Sequence, residues 1–445
     1  MTHRDTHPTG TARQDRDVVR RSVLPGGVRI VTQRVPGSRS AHVGFFIGVG
    51  SRHERPDEHG CSHMLEHLLF KGTRRRSAQD ISACLEVLGG DLNAWTARDH
   101  TCFHAVVLPE HGLLAADVIA DMLTESVVSA TDVAAETRVV LEEIAMHDDD
   151  PVDVCAELSQ QSLFGDSPLG RSVIGTTASI QGLDGEVIRD FWRRHYRPDN
   201  IVVAASGDVD HDALVAQLAE VRAWQQPSGG NAVAADEPPV TWVEPGEPVT
   251  RFWGMQQTTT ALAWPGYGLD DPRRHALSLV MVILGGGMSS RLFQRVREEL
   301  SLAYTIDAGD TCWDGAGAAT VEWQSLPGRT TRIVEETRRI IADLLATGVG
   351  PDDLAAAQQQ VRGQTLLHLD HPGNLMTHWG AATLRHDPRS IDDLVAEIMA
   401  VTPEQATTAA RQVLSARPRL ALAGARTPLV RLGQRVRKWS DSPLG

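Results

Sequence analysis

The chain has 445 residues, more than one hydrophobic core usually holds, so its length predicts two domains of ordinary size. An apolar content of 41%, a charged content of 22% and a net charge of −14 are typical of a globular protein with an acidic surface, and they argue against a nucleic-acid partner. No apolar run is long enough to span a membrane, and five cysteines without a C-x-x-C motif favour free thiols in the reducing cytoplasm.

The first half of the chain predicts a lead-in followed by a mixed domain over residues 21–225. Residues 1–20 are polar and of mixed charge, so they predict a disordered lead-in without a secretory signal. Apolar and alternating runs predict strands at 28–32, at 42–49, within 92–108 and at 201–205. Capping and termination signals predict a first helix between Gly60, which precedes it, and Gly72, which ends it, and further helices at 77–89, 109–128, 132–147, 152–163 and 185–195.

The most informative stretch is the predicted helix around residues 63–67, which read His-Met-Leu-Glu-His. Ser62 is its predicted N-cap. His63, Glu66 and His67 stand at i, i+3 and i+4, so they share one face of the helix. Two imidazoles one turn apart can hold a single zinc ion, and the carboxylate beside them can take a proton from water. This H-x-x-E-H order is the inverted zincin signature, and its alternative interpretation is two surface histidines beside a solvated glutamate.

The second half of the chain repeats the order of elements found in the first. Residues 226–240, poor in periodicity and rich in Gly and Pro, predict a linker, and residues 241–427 predict a second copy of the domain. The tail over 428–445 is basic, and no role is assigned to it. In the repeat, three apolar residues take the positions of the polar motif: Ala276, Leu279 and Val280 stand opposite His63, Glu66 and His67. The repeat therefore predicts a metal site in the first domain only.

A third metal ligand has to come from a distant part of the chain. The predicted helix that Asp132 caps carries Glu136, Glu142 and Glu143. Glu136 and Glu143 are two turns apart and share a face, whereas the adjacent Glu142 and Glu143 cannot both face inward. Glu143 borders the apolar side, so it is the predicted third ligand. The alternative is a solvated acidic face.

These stretches resemble the pitrilysin, insulinase and mitochondrial processing peptidase family of inverzincin zinc endopeptidases. The resemblance covers roughly residues 20–425 and is carried by 60–73, 89–96, 136–144, 168–170, 195–200 and 286–304. Within this family, the chain resembles most the bacterial, processing-peptidase-like branch, whose two-domain chains pair into dimers. The resemblance implies an α+β fold of two homologous α/β-sandwich domains, each with an antiparallel-rich sheet packed with helices, facing each other as a clamshell.

The resemblance also implies a metal centre and its chemistry. His63, His67 and Glu143 would bind one Zn²⁺ per chain, with a water in the fourth position. Glu66 would be the general base that activates this water. Glu136 matches the supporting acid of the family, which orients a ligand or assists proton transfer.

Two further parts of the chain match substrate-binding features of the family. Asn93 and Ala94 match an edge strand on which the substrate lies as an added β-strand. Arg297 and Tyr304 match a pair that the second domain contributes to binding of the substrate and its carbonyl group. Their alternative interpretations are a surface arginine on a helix and a strand aromatic.

The resulting hypothesis is that the protein is a cytoplasmic zinc metalloendopeptidase. The family resemblance implies that it forms a homodimer, and we expect neither a nucleic-acid nor a membrane partner. It would hydrolyse unfolded peptides enclosed between its two domains. The alternative is a non-catalytic or partner-dependent subunit of a processing-peptidase-like complex, since the same family contains subunits that lost their ligands.

Overall fold

The structure, a computed structural model, describes residues 19–226, 240–437 and Trp439. Residues 1–18 of the predicted lead-in and 227–239 of the predicted linker lie outside the described residues. The described part contains two sheets and many helices, which confirms the mixed α/β fold class. None of its helices combines the length and apolar character needed to cross a membrane. All five cysteines are free.

Eleven strands form the two sheets of the described chain. In chain order they are β1 (Val19–Val23), β2 (Arg29–Arg34), β3 (Ala41–Ile47), β4 (Asp91–Thr96), β5 (Thr101–Val107), β6 (Ile201–Gly207), β7 (Val249–Phe252), β8 (Thr258–Gly266), β9 (Thr305–Trp313), β10 (Ala316–Ser325) and β11 (Arg419–Gly424). The first sheet has the order β1-β2-β6-β3-β5-β4, and the second has the order β7-β11-β8-β10-β9.

Fifteen α-helices accompany these strands within the described residues. They are α1 (Cys61–Leu69), α2 (Ala78–Glu86), α3 (Gly112–Glu125), α4 (Ala130–Asp149), α5 (Pro151–Phe164), α6 (Thr177–Gly182), α7 (Gly185–His195), α8 (His211–Ala219), α9 (Arg274–Gly285), α10 (Thr330–Thr347), α11 (Pro351–Leu369), α12 (Pro372–Leu384), α13 (Ile391–Met399), α14 (Pro403–Leu414) and α15 (Leu429–Arg437). A seven-residue π-helical segment spans Phe293–Glu299. The helix predicted at 77–89 begins with a capping box, since the Ser77 hydroxyl accepts from the backbone N–H of Asp80 and the Asp80 side chain accepts from the backbone N–H of Ser77.

The start of α4 differs from the prediction. Asp132 was the predicted N-cap, but the helix begins at Ala130 and Ser129 caps it. The Ser129 hydroxyl accepts a hydrogen bond of 3.1 Å from the backbone N–H of Asp132. Serine and aspartate are both good caps, and here the serine takes the cap while the aspartate lies in the first turn, where its charge favours the helix dipole.

The chain divides into two compact units, each built from more than one stretch of sequence. The first contains the described residues of Met1–Arg138, Ala178–Asp236 and Leu367–Pro388, and the second contains those of Val139–Thr177, Glu237–Leu366 and Arg389–Gly445. The predicted boundaries at 225 and 241 follow the sequence repeat and stay a prediction. Spatial packing assigns α12 to the first unit and α5 to the second.

The first unit packs helices on both faces of its six-stranded sheet. Phe45 and Phe103 point to the face covered by α1 and α3, and both are fully buried. The other face carries Phe46, which is covered by α12. Gly380 of α12 permits this close approach, because a Cβ at this position would lie 2.2 Å from the Phe46 ring. Alternation along each strand therefore supplies apolar side chains to two helical layers.

The second unit uses a different mixture of side chains on its two faces. Leu262 and Trp264 belong to the large core that includes α9, and both are fully buried. The opposite face of β8 and β11 carries alanines, including Ala261 and Ala423, which pack against Cys155 and neighbouring residues of α5. These small side chains let the helix lie close to the sheet. Leu432 of α15 also joins the large core, so the described part of the predicted basic tail is a packed helix.

The two sheets share one topology over five strands. In each, a parallel pair is followed by antiparallel strands: β2 pairs with β6 and β7 pairs with β11 in parallel. The predicted counterparts of the polar motif, Ala276, Leu279 and Val280, lie in α9 and are buried in the apolar core. The repeat read from the sequence thus corresponds to two similar folding units, which agrees with two homologous domains.

Candidate metal centre

The helix α1 begins where a buried carboxylate meets its N-terminus. Gly60, the N-cap, has a φ of +91°, a left-handed conformation that favours glycine. The Glu54 carboxylate accepts hydrogen bonds from the backbone N–H groups of Ser62 at 2.7 Å and Gly60 at 2.8 Å. The predicted Ser62 cap is wrong, because its side chain makes no capping bond. A negative charge at the positive end of the helix dipole takes its place.

The apolar face of α1 anchors the helix in the core of the first unit. Met64, Leu65, Leu68 and Leu69 are all fully buried. The motif residues take the remaining surface of the helix, and the His63 and His67 rings lie edge to face with their centroids 4.7 Å apart. The predicted helix and its division into an apolar side and a side with both imidazoles are therefore present.

The three predicted metal ligands come together. Ligand atoms of His63, His67 and Glu143 all lie within 4.8 Å of one another, and each residue is half-buried. Among the described residues, these three form the one group of three or more histidine, cysteine or acidic residues that could hold a metal ion. Glu143 lies on α4, a continuous helix that also carries Glu136, so helix geometry places the two carboxylates two turns apart.

Glu136 links α4 to both the motif and a lysine. It is only 3% exposed. One carboxylate oxygen, Oε2, lies 3.2 Å from Nδ1 of His67, and the other, Oε1, lies 2.8 Å from Nζ of Lys71. Because the carboxylate is an acceptor, His67 donates through Nδ1–H, which leaves Nε2 as the nitrogen with a lone pair to offer. This arrangement selects the tautomer that a metal needs.

The donor set suits a divalent ion such as zinc. Burial, with the neighbouring His67, lowers the pKa of His63 to about 4, so its imidazole is neutral near pH 7 and keeps a free electron pair. Two imidazoles and one carboxylate, from His63, His67 and Glu143, match a three-ligand zinc site with a further position open for water. The residues present therefore fit the ion that the motif predicts.

The third motif residue, Glu66, is held by the neighbouring edge strand. Its Oε2 accepts a hydrogen bond of 2.6 Å from the Thr96 hydroxyl, at the end of β4. Glu66 is thus placed on the same helix as both histidines and beside the strand predicted to receive substrate. It lies where the sequence pattern places it, next to the metal ligands along α1.

Asn93 and Ala94 lie on β4, whose outer edge is open. In the sheet, β4 pairs with β5, and no described strand pairs with its other edge. Asn93 is exposed, and its Oδ1 accepts a 2.8 Å hydrogen bond from the backbone N–H of Ala94. An open edge presents backbone donors and acceptors to an extended peptide.

Arg297 and Tyr304 lie together in the second unit. The Arg297 guanidinium carbon is 4.7 Å from the centroid of the Tyr304 ring and 4.7 Å from that of Phe293. Tyr304 is 75% exposed and directly precedes β9, and Arg297 lies on the π-helical segment. The stacked cation holds the exposed ring in place. Their predicted role toward substrate stays a prediction.

Sequence reasoning missed three residues that the fold places around the motif: Glu54, Lys71 and Thr96. Lys71 is one of only two lysines in the chain, and this rarity was the available signal for it. The signal for Thr96 was alternation along the strand, which puts it on the side of Ala94. Glu54 carried no signal, because its two hydrogen bonds depend on a loop path that local patterns do not encode.

Comparison with known proteins covers most of the chain. Residues 29–177 match the family model described as insulinase (peptidase family M16), and residues 182–361 match that of the peptidase M16 inactive domain. A protein of Streptomyces coelicolor named an uncharacterized zinc protease is 41% identical over 415 residues, which cover 91% of this chain and 89% of the relative. The chain belongs to peptidase family M16.

Other M16 proteins agree with this assignment. A Mycobacterium tuberculosis protein, also named an uncharacterized zinc protease, is 38% identical over 414 residues, covering 91% of this chain and 93% of the relative. The crystal structure of a peptidase M16 inactive domain from Pseudomonas fluorescens superposes with a TM-score of 0.83 at 21% identity, covering 93% of this chain and 100% of that one. The superposition on this crystal structure establishes the fold of the chain. The predicted family and fold class are both confirmed.

Proposed function

We propose that this M16 protein is a zinc-dependent endopeptidase that hydrolyses unfolded peptides. The observation that carries the proposal is the juxtaposition of His63, His67 and Glu143 within 4.8 Å, with Glu66 on the same helix as the two histidines. Relatives named zinc proteases support it. We further propose that the protein is cytoplasmic, in line with its five free cysteines. We also propose that it forms a homodimer, as the family resemblance implies.

His63, His67 and Glu143 would hold one Zn²⁺ per chain. When bound, zinc would lower the pKa of a water toward ~7 and polarise the scissile carbonyl. The neutral His63 imidazole offers its electron pair without losing a proton first. Glu143 contributes the negative charge that balances part of the charge of the ion.

Glu66 would transfer the proton. Its carboxylate takes a proton from the water as the oxygen attacks the peptide carbonyl carbon. The same proton then passes to the leaving nitrogen as the C–N bond breaks, so Glu66 ends the cycle ionised. The motif places this carboxylate one turn from His63, on the same helix as two of the proposed ligands.

Glu136 and Lys71 would support the ligand His67. Glu136 accepts the Nδ1–H of His67 and so fixes the ring and makes Nε2 a stronger donor. Lys71 balances the charge of the buried Glu136 carboxylate at 2.8 Å. We therefore assign Glu136 a supporting role and not a place among the ligands.

The substrate would bind through its backbone. An extended peptide adds to the open edge of β4 at Asn93 and Ala94, and this mode favours unfolded segments because a folded protein has few free strands. Arg297 and Tyr304 of the second unit are proposed to bind the substrate and its carbonyl group, as the family resemblance implies, and substrate enclosure between two domains would reinforce the choice of unfolded peptides.

The proposal is tested by metal removal. The purified chain is expected to contain about one zinc and to cleave a quenched, unstructured peptide, to lose this activity with a chelator, and to regain it with added zinc. A stably folded protein carrying the same sequence in a helix serves as the control and is expected to stay intact. A chain that binds no zinc and cleaves nothing would instead support a non-catalytic or partner-dependent subunit.

Loss of the Lys71 charge is expected to weaken the metal site. Lys71→Met leaves Glu136 buried beside His67 without the cation that holds its carboxylate in place, so zinc affinity is expected to fall about 10-fold, the lower end of the range for loss of an outer partner, because Glu136 itself remains. Competition with a chromophoric chelator measures the change. Lys71→Arg keeps the charge and is expected to lose much less. Equal zinc affinity in Lys71→Met and the wild type would refute the supporting role.

A further inference from the structure

The end of the open edge strand contacts the proposed general base directly. Thr96, the last residue of β4, donates its hydroxyl hydrogen to Oε2 of Glu66 at 2.6 Å. This distance is in the range of hydrogen bonds from a hydroxyl to an ionised carboxylate. The strand itself is anchored at this point, because Thr96 pairs with Thr101 of β5, and the Thr101 hydroxyl donates to the carbonyl oxygen of Val49 at 2.9 Å.

We propose that Thr96 is a positioning residue for Glu66. A glutamate side chain has three rotatable bonds, and a helix fixes only its Cα. The Thr96 hydroxyl engages one carboxylate oxygen, Oε2, and so fixes the orientation of the carboxylate that takes the proton from the water. This inference rests on the proposed peptidase function and adds to it a residue that acts through the general base.

The position of Thr96 also couples two parts of the reaction. Ala94 lies two residues earlier on the same side of β4, and the open edge of this strand is the proposed place of the substrate backbone. The strand that places the scissile peptide therefore also places the base. A fixed distance between base and peptide matters because proton transfer requires hydrogen-bond reach.

Two variants separate this role from simple packing. Thr96→Val keeps the shape and removes the hydroxyl, and Thr96→Ser keeps the hydroxyl and removes a methyl group. With zinc bound, we expect Thr96→Val to lower kcat about 10–100-fold, within the range that a misplaced general base costs, with KM, zinc content and melting temperature close to wild type. Thr96→Ser is expected to retain kcat within about threefold, because it still donates to Glu66. An unchanged kcat in Thr96→Val, or an equal loss in both variants, would overturn the proposal.

A second measurement does not depend on activity. Crystal structures of both variants are expected to show Oε2 of Glu66 within hydrogen-bond distance of the hydroxyl in Thr96→Ser, and Glu66 in other rotamers in Thr96→Val. A Glu66 side chain that keeps its place without the hydroxyl contradicts the positioning role. If the wild-type chain cleaves no peptide, the proposed function fails, whereas the crystal structures still decide whether Thr96 positions Glu66.

Discussion

Glu66→Gln is expected to lower kcat for peptide cleavage by about 10²–10⁴-fold while zinc stays bound, because glutamine cannot accept a proton at the pH of the assay. The amide has the same size as the carboxylate and still accepts a hydrogen bond from Thr96, so the geometry around the motif is retained. Neither His63, His67 nor Glu143 changes, so the zinc content is expected to match that of the wild type. Steady-state kinetics of a quenched peptide and metal analysis of the same samples give the two readouts.

The control for Glu66→Gln is a separate variant that loses a different carboxylate in the same unit. Glu86 is an exposed residue of α2 and makes no part of the candidate metal centre. Glu86→Gln is therefore expected to cleave the peptide at the wild-type rate. Full activity of zinc-loaded Glu66→Gln would end the assignment of Glu66 as the general base and, with it, the proposed mechanism.

Glu143→Ala is expected to lose zinc rather than to slow a zinc-loaded site. This change removes one of the three proposed protein ligands. Loss of an outer partner of a ligand lowers metal affinity about 10–100-fold, and loss of the ligand itself is expected to lower it further. Peptidase activity falls with it at limiting zinc, and high zinc restores part of it if His63 and His67 still bind. Metal titration with parallel activity assays measures both quantities.

Adjacent Glu142 provides a matched control on the same helix. It is exposed, whereas Glu143 is half-buried, and the change Glu142→Ala removes the same charge one residue away. Wild-type zinc binding in Glu142→Ala together with loss in Glu143→Ala would identify the ligand. The reverse result, or loss in both, would show that the acidic surface of α4 acts through its net charge, and Glu143 would no longer be the ligand.

Local patterns predicted correctly the two helices that carry the candidate site. The i, i+3, i+4 spacing put His63, Glu66 and His67 on one short helix, and the apolar spacing buried Met64 and Leu65. The seven-residue spacing put Glu136 and Glu143 on one face of α4. These predictions succeeded because helix periodicity depends on residues within a few turns of each other. The family resemblance then joined α1 to α4, which spacing alone did not do.

The residues that escaped prediction depend on parts of the chain that local patterns do not compare. Lys71 meets Glu136, and Thr96 meets Glu66, only after strands and helices have packed. Glu54 replaces Ser62 as the cap of α1 because the loop before the helix brings a carboxylate onto two backbone N–H groups. Local capping rules compare only neighbouring side chains, so a cap that arrives from six to eight residues upstream lies beyond them.

The sequence determined which chemistry is available and how often the fold is repeated: periodicity gives the helix with two imidazoles, and the apolar counterparts Ala276, Leu279 and Val280 show that the second copy lacks it. Packing in three dimensions decided the rest. The helix α12, late in the chain, covers the sheet of the first unit, and α5, early in the chain, covers that of the second. Weakly amphipathic helices of this kind gain their stability from the surface that they bury, and that surface does not exist until distant strands have formed it.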